Sequence, residues 1–266
     1  MPDPTPDRRR VVLTGAAGRI GRTVSAALAD RWALVPTDRP SAADPLDDVE
    51  ALDVTDLDAC RAAFAGADAV VHLAADPSPE ATFDDLLGPN LTGAYAVAQA
   101  AADAGVRRLV LASSLHAVSG MAPRVQRRTG DQPRPANLYG ASKAWSEALG
   151  AWTATTSATS VVALRIGYFN TRRPPVDGSY EERTAWLSAR DAAELVRSAV
   201  EADLPTGVDG FVVANGVSAN RYTVADLEET RRAIGYVPVD DAWETGSDSD
   251  SDSATDIDTD AEGERG

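Results

Sequence analysis

Tyr139 and Lys143 are the residues whose types and spacing most directly indicate chemistry. Lys143 is the only lysine in the 266-residue chain, since every other residue among its 25 Lys and Arg residues is arginine. Residues four apart lie on one face of a helix, so the phenol and the ammonium are expected to project to the same side. Arginine is a poor substitute for this lysine, because a planar guanidinium differs from a compact ammonium in shape, hydration and reach.

The pair is suited to proton transfer. An isolated tyrosine, with a pKa near ~10, is a poor base at neutral pH. An ammonium about 4 Å away stabilises the phenolate by roughly 4 kcal/mol at an effective dielectric constant near ~20. This lowers the phenol pKa by about three pH units before desolvation of the pair opposes it. We therefore predict that Tyr139 is a general base and that Lys143 activates it.

A glycine-rich segment near the start of the chain predicts a dinucleotide site. The apolar run 11–13 is typical of a strand buried on both faces. It leads into Gly15, Gly18 and Gly21, and a helical pattern follows from 22 to about 30. Such glycines permit a tight turn and let the backbone approach a pyrophosphate, which the helix N-terminus then stabilises.

A carboxylate follows the second predicted strand, 33–35, at Asp38. This is about 20 residues after the glycine loop, where an acidic residue accepts hydrogen bonds from the ribose 2′-hydroxyl of NAD. The same charge repels a 2′-phosphate, so NAD is favoured as the cofactor. The neighbouring Arg39 keeps NADP open as an alternative.

Alternating strands and helices predict an α/β fold of Rossmann type. We expect a doubly wound parallel sheet with helices on both faces and a small C-terminal substrate lobe, with ligands at the strand carboxyl ends. Asp53, Ala74 and Ser114 fall at such ends. The further predicted strands are 50–54, 69–75, 108–112, 161–166 and 210–214, and the helices are 57–65, 90–104, 139–155, 191–201 and 223–234.

The predicted organisation is a single domain over 9–244, with substrate-binding segments at about 167–190 and 215–244. The tail, 245–266, is an acidic Ser-Asp repeat with too few apolar residues to fold, so it is predicted to be disordered. Excess acid is spread over the body as well as the tail, as in a protein from a salt-rich cytoplasm.

Composition excludes several classes of protein. The net charge of −16 and the isoelectric point near 4.5 argue against nucleic-acid binding. One cysteine, Cys60, allows no internal disulfide, and with two histidines it gives no metal-ligand spacing. No apolar run approaches the ~20 residues of a membrane span. We therefore expect a soluble, cytoplasmic, metal-free protein.

Together these features resemble the extended short-chain dehydrogenase/reductase superfamily, which includes the NAD-dependent epimerases and dehydratases. The resemblance covers about 11–214. The residues that carry it are Thr14-Gly15-x-x-Gly18-x-x-Gly21, Asp38, Asp53-Val54, His72-Leu73-Ala74-Ala75, Asn90, Ser113-Ser114 and Tyr139-x-x-x-Lys143.

The resemblance implies a role for each matching position. Ser114 would orient the reacting oxygen beside Tyr139, and Lys143 would also hold the nicotinamide ribose. A homodimer through the long helices is what the superfamily implies. The implied NAD-binding residues are Gly15, Gly18, Arg19, Ile20, Gly21, Asp38, Asp53, Val54, Leu73, Ala74, Ala75, Asn90 and Lys143.

Three stretches, 113–116, 137–143 and 164–167 with 185–188, are similar to a narrower group. That group contains NAD-dependent uronate dehydrogenases and archaeal NAD-dependent glucose-6-phosphate dehydrogenases. Both oxidise the anomeric C1 hydroxyl of an anionic sugar to a lactone. The resemblance implies this reaction here, with substrate contacts at Ser78, Leu115, His116, Tyr168 and Arg183.

The substrate side departs from the group at several positions. Leu115 stands where an asparagine is usual, and Tyr168 stands where the uronate enzymes have serine. The arginine that grips the anion normally lies five residues before the tryptophan, at the place of Glu181. Arg183 is the nearest arginine, and Arg172 or Arg173 are alternatives; any of them could capture a carboxylate or phosphate.

Two other functions are compatible with these residues. A nucleotide-sugar epimerase or dehydratase uses the same Tyr-x-x-x-Lys pair, but it usually needs a larger C-terminal lobe. A non-catalytic NAD(P)-sensing regulator binds the dinucleotide alone, and such proteins typically lose the tyrosine or the lysine. The chain keeps both residues, so a sugar dehydrogenase is the leading hypothesis.

Overall fold

The computed structural model describes residues 8–40, 48–122, 125–175 and 177–244. The predicted disordered tail, 245–266, lies outside the described residues. The main sheet contains seven parallel strands. They are β1 (Arg10–Thr14), β2 (Ala33–Asp38), β3 (Glu50–Ala51), β4 (Ala69–His72), β5 (Arg108–Ser114), β6 (Ser160–Ile166) and β9 (Phe211–Gly216). A separate pair, β7 (Tyr168–Phe169) and β8 (Trp186–Leu187), follows β6.

Helices cover both faces of this sheet. The α-helices are α1 (Arg19–Leu28), α2 (Leu57–Phe64), α3 (Phe83–Leu86), α4 (Gly93–Asp103), α5 (Leu138–Thr156), α6 (Tyr180–Ala185), α7 (Ala189–Glu201) and α8 (Glu228–Ile234). A π-helical segment, Leu87–Thr92, precedes α4, and short 3₁₀ helices occupy Leu115–Val118 and Val208–Gly210. The predicted Rossmann-type α/β fold is confirmed.

The strand order indicates where the ligand crevice lies. The order β3-β2-β1-β4-β5-β6-β9 reverses direction between β1 and β4. In doubly wound sheets, ligands bind outside the carboxyl ends of the strands at this reversal. Alternate residues of β1 face opposite sides: Val11 and Leu13 pack into one core with α1 and α7, and Val12 packs into the other with α2 and α4.

Several predicted elements differ from the observed ones, among them β4, which ends at His72 rather than at 75. The strand predicted at 50–54 is shorter, since β3 ends at Ala51. Asp53 lies beyond it, and its side chain accepts hydrogen bonds from the backbone and side chain of Thr55. The helix predicted from 90 begins as the π-helical segment, which contains Pro89, a residue without an N–H for regular helical hydrogen bonds. The last helix begins at Glu228 rather than 223. The segment before it is extended there, because Ala225 forms a parallel β-bridge with Arg127 from a distant loop.

The region after β6 forms a cover over the carboxyl edge of the sheet. β7 and β8 pair in parallel, and α6 connects them. A Cβ on Gly167 would collide with the carbonyl oxygen of Ala185, so this glycine lets α6 approach the end of β6. Within the described residues, no helix is both long and apolar enough to cross a membrane.

Candidate active site

The glycine loop lies against the carboxyl end of β4. Gly15 has φ +76°, and a Cβ on it would lie 2.5 Å from the backbone nitrogen of Ala74. Both its conformation and this close contact therefore require glycine. Gly21 packs so closely on the carbonyl oxygen of Gly15 that a methyl group there would also collide. The loop thus directs the first turn of α1 towards the crevice.

The start of α1 fits an anionic group. Gly18 is the N-cap residue and has no side chain to accept hydrogen bonds from the first-turn N–H groups. Together with the positive end of the helix dipole, these donors suit a pyrophosphate. Arg19 adds a guanidinium that donates to the carbonyl oxygen of Phe169 and lies 5.8 Å from the centre of the Phe169 ring.

Asp38 is held beside the glycine loop. Its carboxylate accepts hydrogen bonds from the backbone nitrogens of Ala17, at 2.8 Å, and Arg39, at 2.7 Å. The carboxylate is only partly buried, so its remaining lone pairs can accept from a ribose hydroxyl. The glycine loop, the open N-terminus of α1 and this carboxylate fit the phosphate and adenosine ribose parts of a dinucleotide.

The reactive pair lies on α5, which starts after Asn137. The Asn137 side chain accepts a hydrogen bond from Gly140 N at 2.8 Å, as an N-cap residue does. One turn apart, Tyr139 and Lys143 are both buried, and the Lys143 Nζ lies 5.6 Å from the centre of the Tyr139 ring. Lys143 Nζ donates to the carbonyl oxygen of Ala112 at 3.0 Å, which fixes the ammonium against β5.

Ser114 and His116 complete this end of the crevice. Ser114 is the last residue of β5, and its hydroxyl accepts from His116 N at 3.1 Å. The same hydroxyl hydrogen-bonds with Tyr139. The His116 ring meets the Tyr139 ring edge to face, with 5.5 Å between ring centres, and Asn137 Nδ2 lies 3.0 Å from His116 Nδ1.

Burial determines the pKa values of the pair. It raises the pKa of Tyr139 above the ordinary value, although the hydrogen bond with Ser114 acts in the opposite direction. It lowers the pKa of Lys143 to about 8. The sequence predicted a lowered phenol pKa, whereas in the structure desolvation outweighs the hydrogen bond with Ser114 and raises the pKa of Tyr139. At neutral pH the pair consists of a phenol and an ammonium.

A buried ion pair supports the site from behind. Glu147, one turn after Lys143 on α5, accepts hydrogen bonds from Arg165 Nε at 2.8 Å and Nη2 at 2.9 Å. Its carboxylate also accepts from Ser113 Oγ at 2.6 Å. The Arg165 guanidinium, on β6, donates further to the carbonyl oxygens of Arg128 and Asp131. Through these bonds and the Ser113 contact, the ion pair connects α5, β5, β6 and a loop.

These groups meet in a cavity of about 650 Å³ that runs from the glycine loop to the cover. Thirteen of the twenty residues predicted for the site line it, and the seven that do not are Asp38, Asp53, Val54, Ala74, Asn90 and the substrate candidates Ser78 and Arg183. The lining includes Gly15, Gly18, Arg19, Ile20, Gly21, Leu73, Ala75, Ser114, Leu115, His116, Tyr139, Lys143 and Tyr168.

Four of those seven lie close to the crevice without lining it. Asp38 is at the glycine loop, and Ala74 packs against Gly15. Asp53 lies beyond β3, where its carboxylate is engaged by Thr55, and these hydrogen bonds lower the pKa of Asp53. Ser78 lies between two lining prolines, and its backbone nitrogen donates to the Asp76 carboxylate at 2.9 Å. Their contacts with ligands stay predictions.

Val54 and Asn90 have structural roles that the sequence did not indicate. Val54 packs in the core against α4, where Gly93 leaves room for its side chain. Asn90 is buried in the π-helical segment, and its amide exchanges hydrogen bonds with the backbone of Asp76 at 2.7 and 3.0 Å. It also donates to Ser142 Oγ at 3.0 Å. Asn90 thus holds the loop after β4 against α5.

Arg183, a predicted substrate contact, is buried against the C-terminal part of the described chain. Its guanidinium stacks over the Trp243 ring at 4.5 Å and donates to the carbonyl oxygen of Ala242 at 3.1 Å. The reason is helical geometry: Arg183 sits on the buried side of α6, whereas Glu181 and Glu182 of the first turn line the cavity. Arg183 does not line the cavity, and its contact with an anion stays a prediction.

Sequence reasoning missed several residues of the site. Phe169, Glu182, Pro77 and Pro79 line the cavity, but their sequence contexts gave no signal. Glu147 could have been found, because it continues the four-residue spacing of Tyr139 and Lys143 along one helix face. Asn137 also had a signal, since asparagine is a preferred N-cap residue.

The fold and the site define a class: a Rossmann-type protein with a dinucleotide crevice and a Tyr-x-x-x-Lys pair. The model of the NAD dependent epimerase/dehydratase family matches residues 11–195. The chain belongs to this family.

Curated relatives cover almost the same length of chain. L-arabinose 1-dehydrogenase (NAD(P)(+)) of Haloferax volcanii is 39% identical over 252 residues, with 88% of this chain and 97% of the relative covered. NAD-dependent glucose-6-phosphate dehydrogenase of the same organism is 37% identical, with 88% and 94% covered. Among solved structures, a uronate dehydrogenase mutant from Agrobacterium tumefaciens complexed with NAD is 28% identical, with a TM-score of 0.78 and 88% and 86% covered.

Proposed function

We propose that the protein is an NAD-dependent dehydrogenase that oxidises the C1 hydroxyl of a sugar to a lactone. The observation that carries this proposal is the convergence of Tyr139, Lys143 and Ser114 in one cavity with the glycine loop. The names of the relatives support it, since they are dehydrogenases of arabinose, glucose 6-phosphate and uronates. Because these sugars differ in charge, the relatives alone do not decide whether the substrate is anionic, as the sequence predicted.

The cofactor assignment follows from the crevice. The glycine loop and the N-terminus of α1 would hold the pyrophosphate, and Asp38 would accept from the adenosine ribose. A 2′-phosphate would meet this carboxylate, which favours NAD over NADP. When bound, NAD accepts the hydride from the sugar.

The chain's own residues would handle the proton. Ser114 would donate to the reacting oxygen and orient it towards Tyr139. Tyr139, once ionised, would take the C1 hydroxyl proton as the C1–H bond breaks, leaving a carbonyl group at C1. Lys143 would stabilise the phenolate by its charge and hold the nicotinamide ribose. The buried Glu147–Arg165 pair would hold α5 against β6 for this transfer.

Replacing Tyr139 by phenylalanine tests this proposal. Tyr139→Phe removes the proton acceptor but keeps the ring, so kcat is expected to fall by about two to four orders of magnitude. NAD affinity, measured by calorimetry, should change little. The assay is NADH formation with a panel of aldoses, aldose phosphates and uronates, and the matched control is Tyr222→Phe at an exposed position outside the cavity.

The outcomes also separate the alternative functions. Near-normal turnover in Tyr139→Phe would refute the assignment of the base. Tight NAD binding by the wild-type protein with no NADH from any sugar would instead favour a regulator. Turnover of a nucleotide sugar without net NADH would favour an epimerase.

Homodimerisation, cytoplasmic location and the lack of a nucleic-acid partner are further proposals. An exposed aromatic patch of Tyr95, Trp145 and Trp152 on α4 and α5 supports a dimer through these helices. The net charge of −16 supports the lack of a nucleic-acid partner.

A further inference from the structure

We infer that the substrate is an uncharged aldose rather than a uronate or a sugar phosphate. The inference rests on the proposed function, since it concerns the sugar that the same cavity would accept. It follows from the charges of the cover: Glu181 and Glu182 both line the cavity, and Glu181 stands at the position where an anion-binding arginine is usual.

The position of the two carboxylates is fixed by the local structure. Both belong to the first turn of α6, and the last residue of this helix, Ala185, also lines the cavity. Ser179 caps the helix, because its hydroxyl accepts from Glu182 N at 3.3 Å. The same hydroxyl donates to the Glu181 carboxylate at 3.0 Å, and hydrogen bonding lowers the pKa of Glu181. Glu181 is therefore ionised at neutral pH.

The arginines of the cover are directed elsewhere. Arg173 donates to the Glu244 carbonyl oxygen at 3.0 Å and to its carboxylate at 3.2 Å. Arg190 pairs with Asp240, and Arg183 stacks on Trp243. Arg172 is exposed. Within the described part of the chain, none of these four arginines lines the cavity.

The cationic groups that do line the cavity belong to its cofactor side. Arg19 is at the start of α1, and Lys143 is fixed beside Tyr139. His116 adds no charge at neutral pH, because burial lowers its pKa. An anionic substituent that points to the cover would therefore meet Glu181 and Glu182, and none of the four arginines of the cover lines the cavity to compensate their charge.

A neutral aldose suits the same groups. Ionised carboxylates accept hydrogen bonds, and every hydroxyl of a sugar can donate one. The Tyr168 phenol, which also lines the cavity, can donate or accept. Hydroxyl groups thus gain partners at the cover, whereas a carboxylate or phosphate has like charge there.

Substrate comparison and removal of the two charges test the inference. Purified full-length protein is assayed with NAD for NADH formation on arabinose, xylose, glucose and galactose, and on glucose 6-phosphate, glucuronate and galacturonate. We expect kcat/KM for the best neutral sugar to exceed that for each anionic sugar at least tenfold. The double substitution Glu181→Gln and Glu182→Gln should lower this preference at least tenfold. Glu228→Gln, an exposed change on α8, is the control and should leave the preference unchanged.

Each outcome bears on one proposal. A wild-type preference for a uronate or for glucose 6-phosphate would overturn the inference and leave the proposed function standing. An unchanged preference in the double variant, with its fold verified by circular dichroism, would overturn the role of the two carboxylates. No NADH from any sugar would count against the proposed function itself.

Discussion

Lys143 holds its ammonium inside the protein, where the residue is 5% exposed and donates to the Ala112 carbonyl oxygen. Charge in such a place is costly to stability, which is why the pKa falls to about 8 from the ordinary 10.5. Active sites commonly keep such unfavourable groups because the chemistry needs them. The residue that the proposed reaction needs is thus one that weakens the folded state.

The Lys143 pKa predicts how stability depends on pH. Because the folded pKa lies below the unfolded one, the unfolded chain binds more protons between pH 8 and 10.5, and stability rises with pH in this window. Wild-type protein should gain about 2 kcal/mol between pH 7 and 9.5 that Lys143→Met does not gain. Urea unfolding of both proteins measures this difference, and parallel pH profiles would contradict it.

At the residue scale, the sequence predicted the cofactor side better than the substrate side. Gly15, Tyr139 and Lys143 are tied to local geometry, a positive φ angle and a four-residue helical spacing, which a sequence pattern specifies. The direction of Arg183 depends on the packing of α6 against Trp243, a residue 60 positions away. No local pattern carries that information.

Helix α5 is the element on which the site depends. One of its faces presents Tyr139 and Lys143 to the cavity, and Glu147 continues that face towards Arg165 on β6. An ion pair thereby joins helix α5 to strand β6, in addition to their apolar contacts. Removing one partner of such a buried pair is strongly destabilising, because the other charge is then left buried without its counter-charge.

The Glu147–Arg165 pair can be tested by a double-mutant cycle. Arg165→Met leaves the Glu147 carboxylate buried without its cation, and should lower the free energy of unfolding by about 3 to 5 kcal/mol. Adding Glu147→Leu should restore at least about 1 kcal/mol of that loss, because the two side chains interact directly. Urea unfolding at neutral pH gives the values. Additive losses would show that the pair does not couple the two elements.

Elements with strong apolar patterns were predictable, and those set by distant contacts were not. Strand β6 and the long helix α5 lie within one residue of their predicted bounds. The late start of α8 arises because Ala225 pairs with Arg127, nearly a hundred positions earlier. The π-helical segment arises from Pro89 and from the Asn90 contacts with Asp76.

At the scale of the whole molecule, surface composition separates two regions. Acidic residues of both the body and the tail give the chain its net charge of −16, which favours solubility in salt. The aromatic patch on α4 and α5 interrupts this polar surface: Tyr95 and Trp152 stack with 6.4 Å between ring centres, and Trp145 lies beside them. Such a patch is typical of a protein–protein contact.

The patch predicts the effect of a charge on assembly. Trp152→Arg should convert the dimer to a monomer, because it places a charge at a desolvated contact. Light scattering after gel filtration should give twice the 27.8 kDa chain mass for the wild type and about the chain mass for the variant. Val208→Arg, at another exposed apolar position, is the control and should remain dimeric. A monomeric wild-type protein would rule out the dimer.

The single lysine has a practical consequence for covalent labelling. Apart from the α-amino group, Lys143 is the only primary amine in the sequence, and it opens onto the cavity. Its pKa of about 8 gives it a larger fraction of free, nucleophilic amine near neutral pH than an ordinary lysine has. An amine-directed reagent small enough to enter would therefore modify one defined side chain per molecule and titrate the number of accessible cavities in a sample.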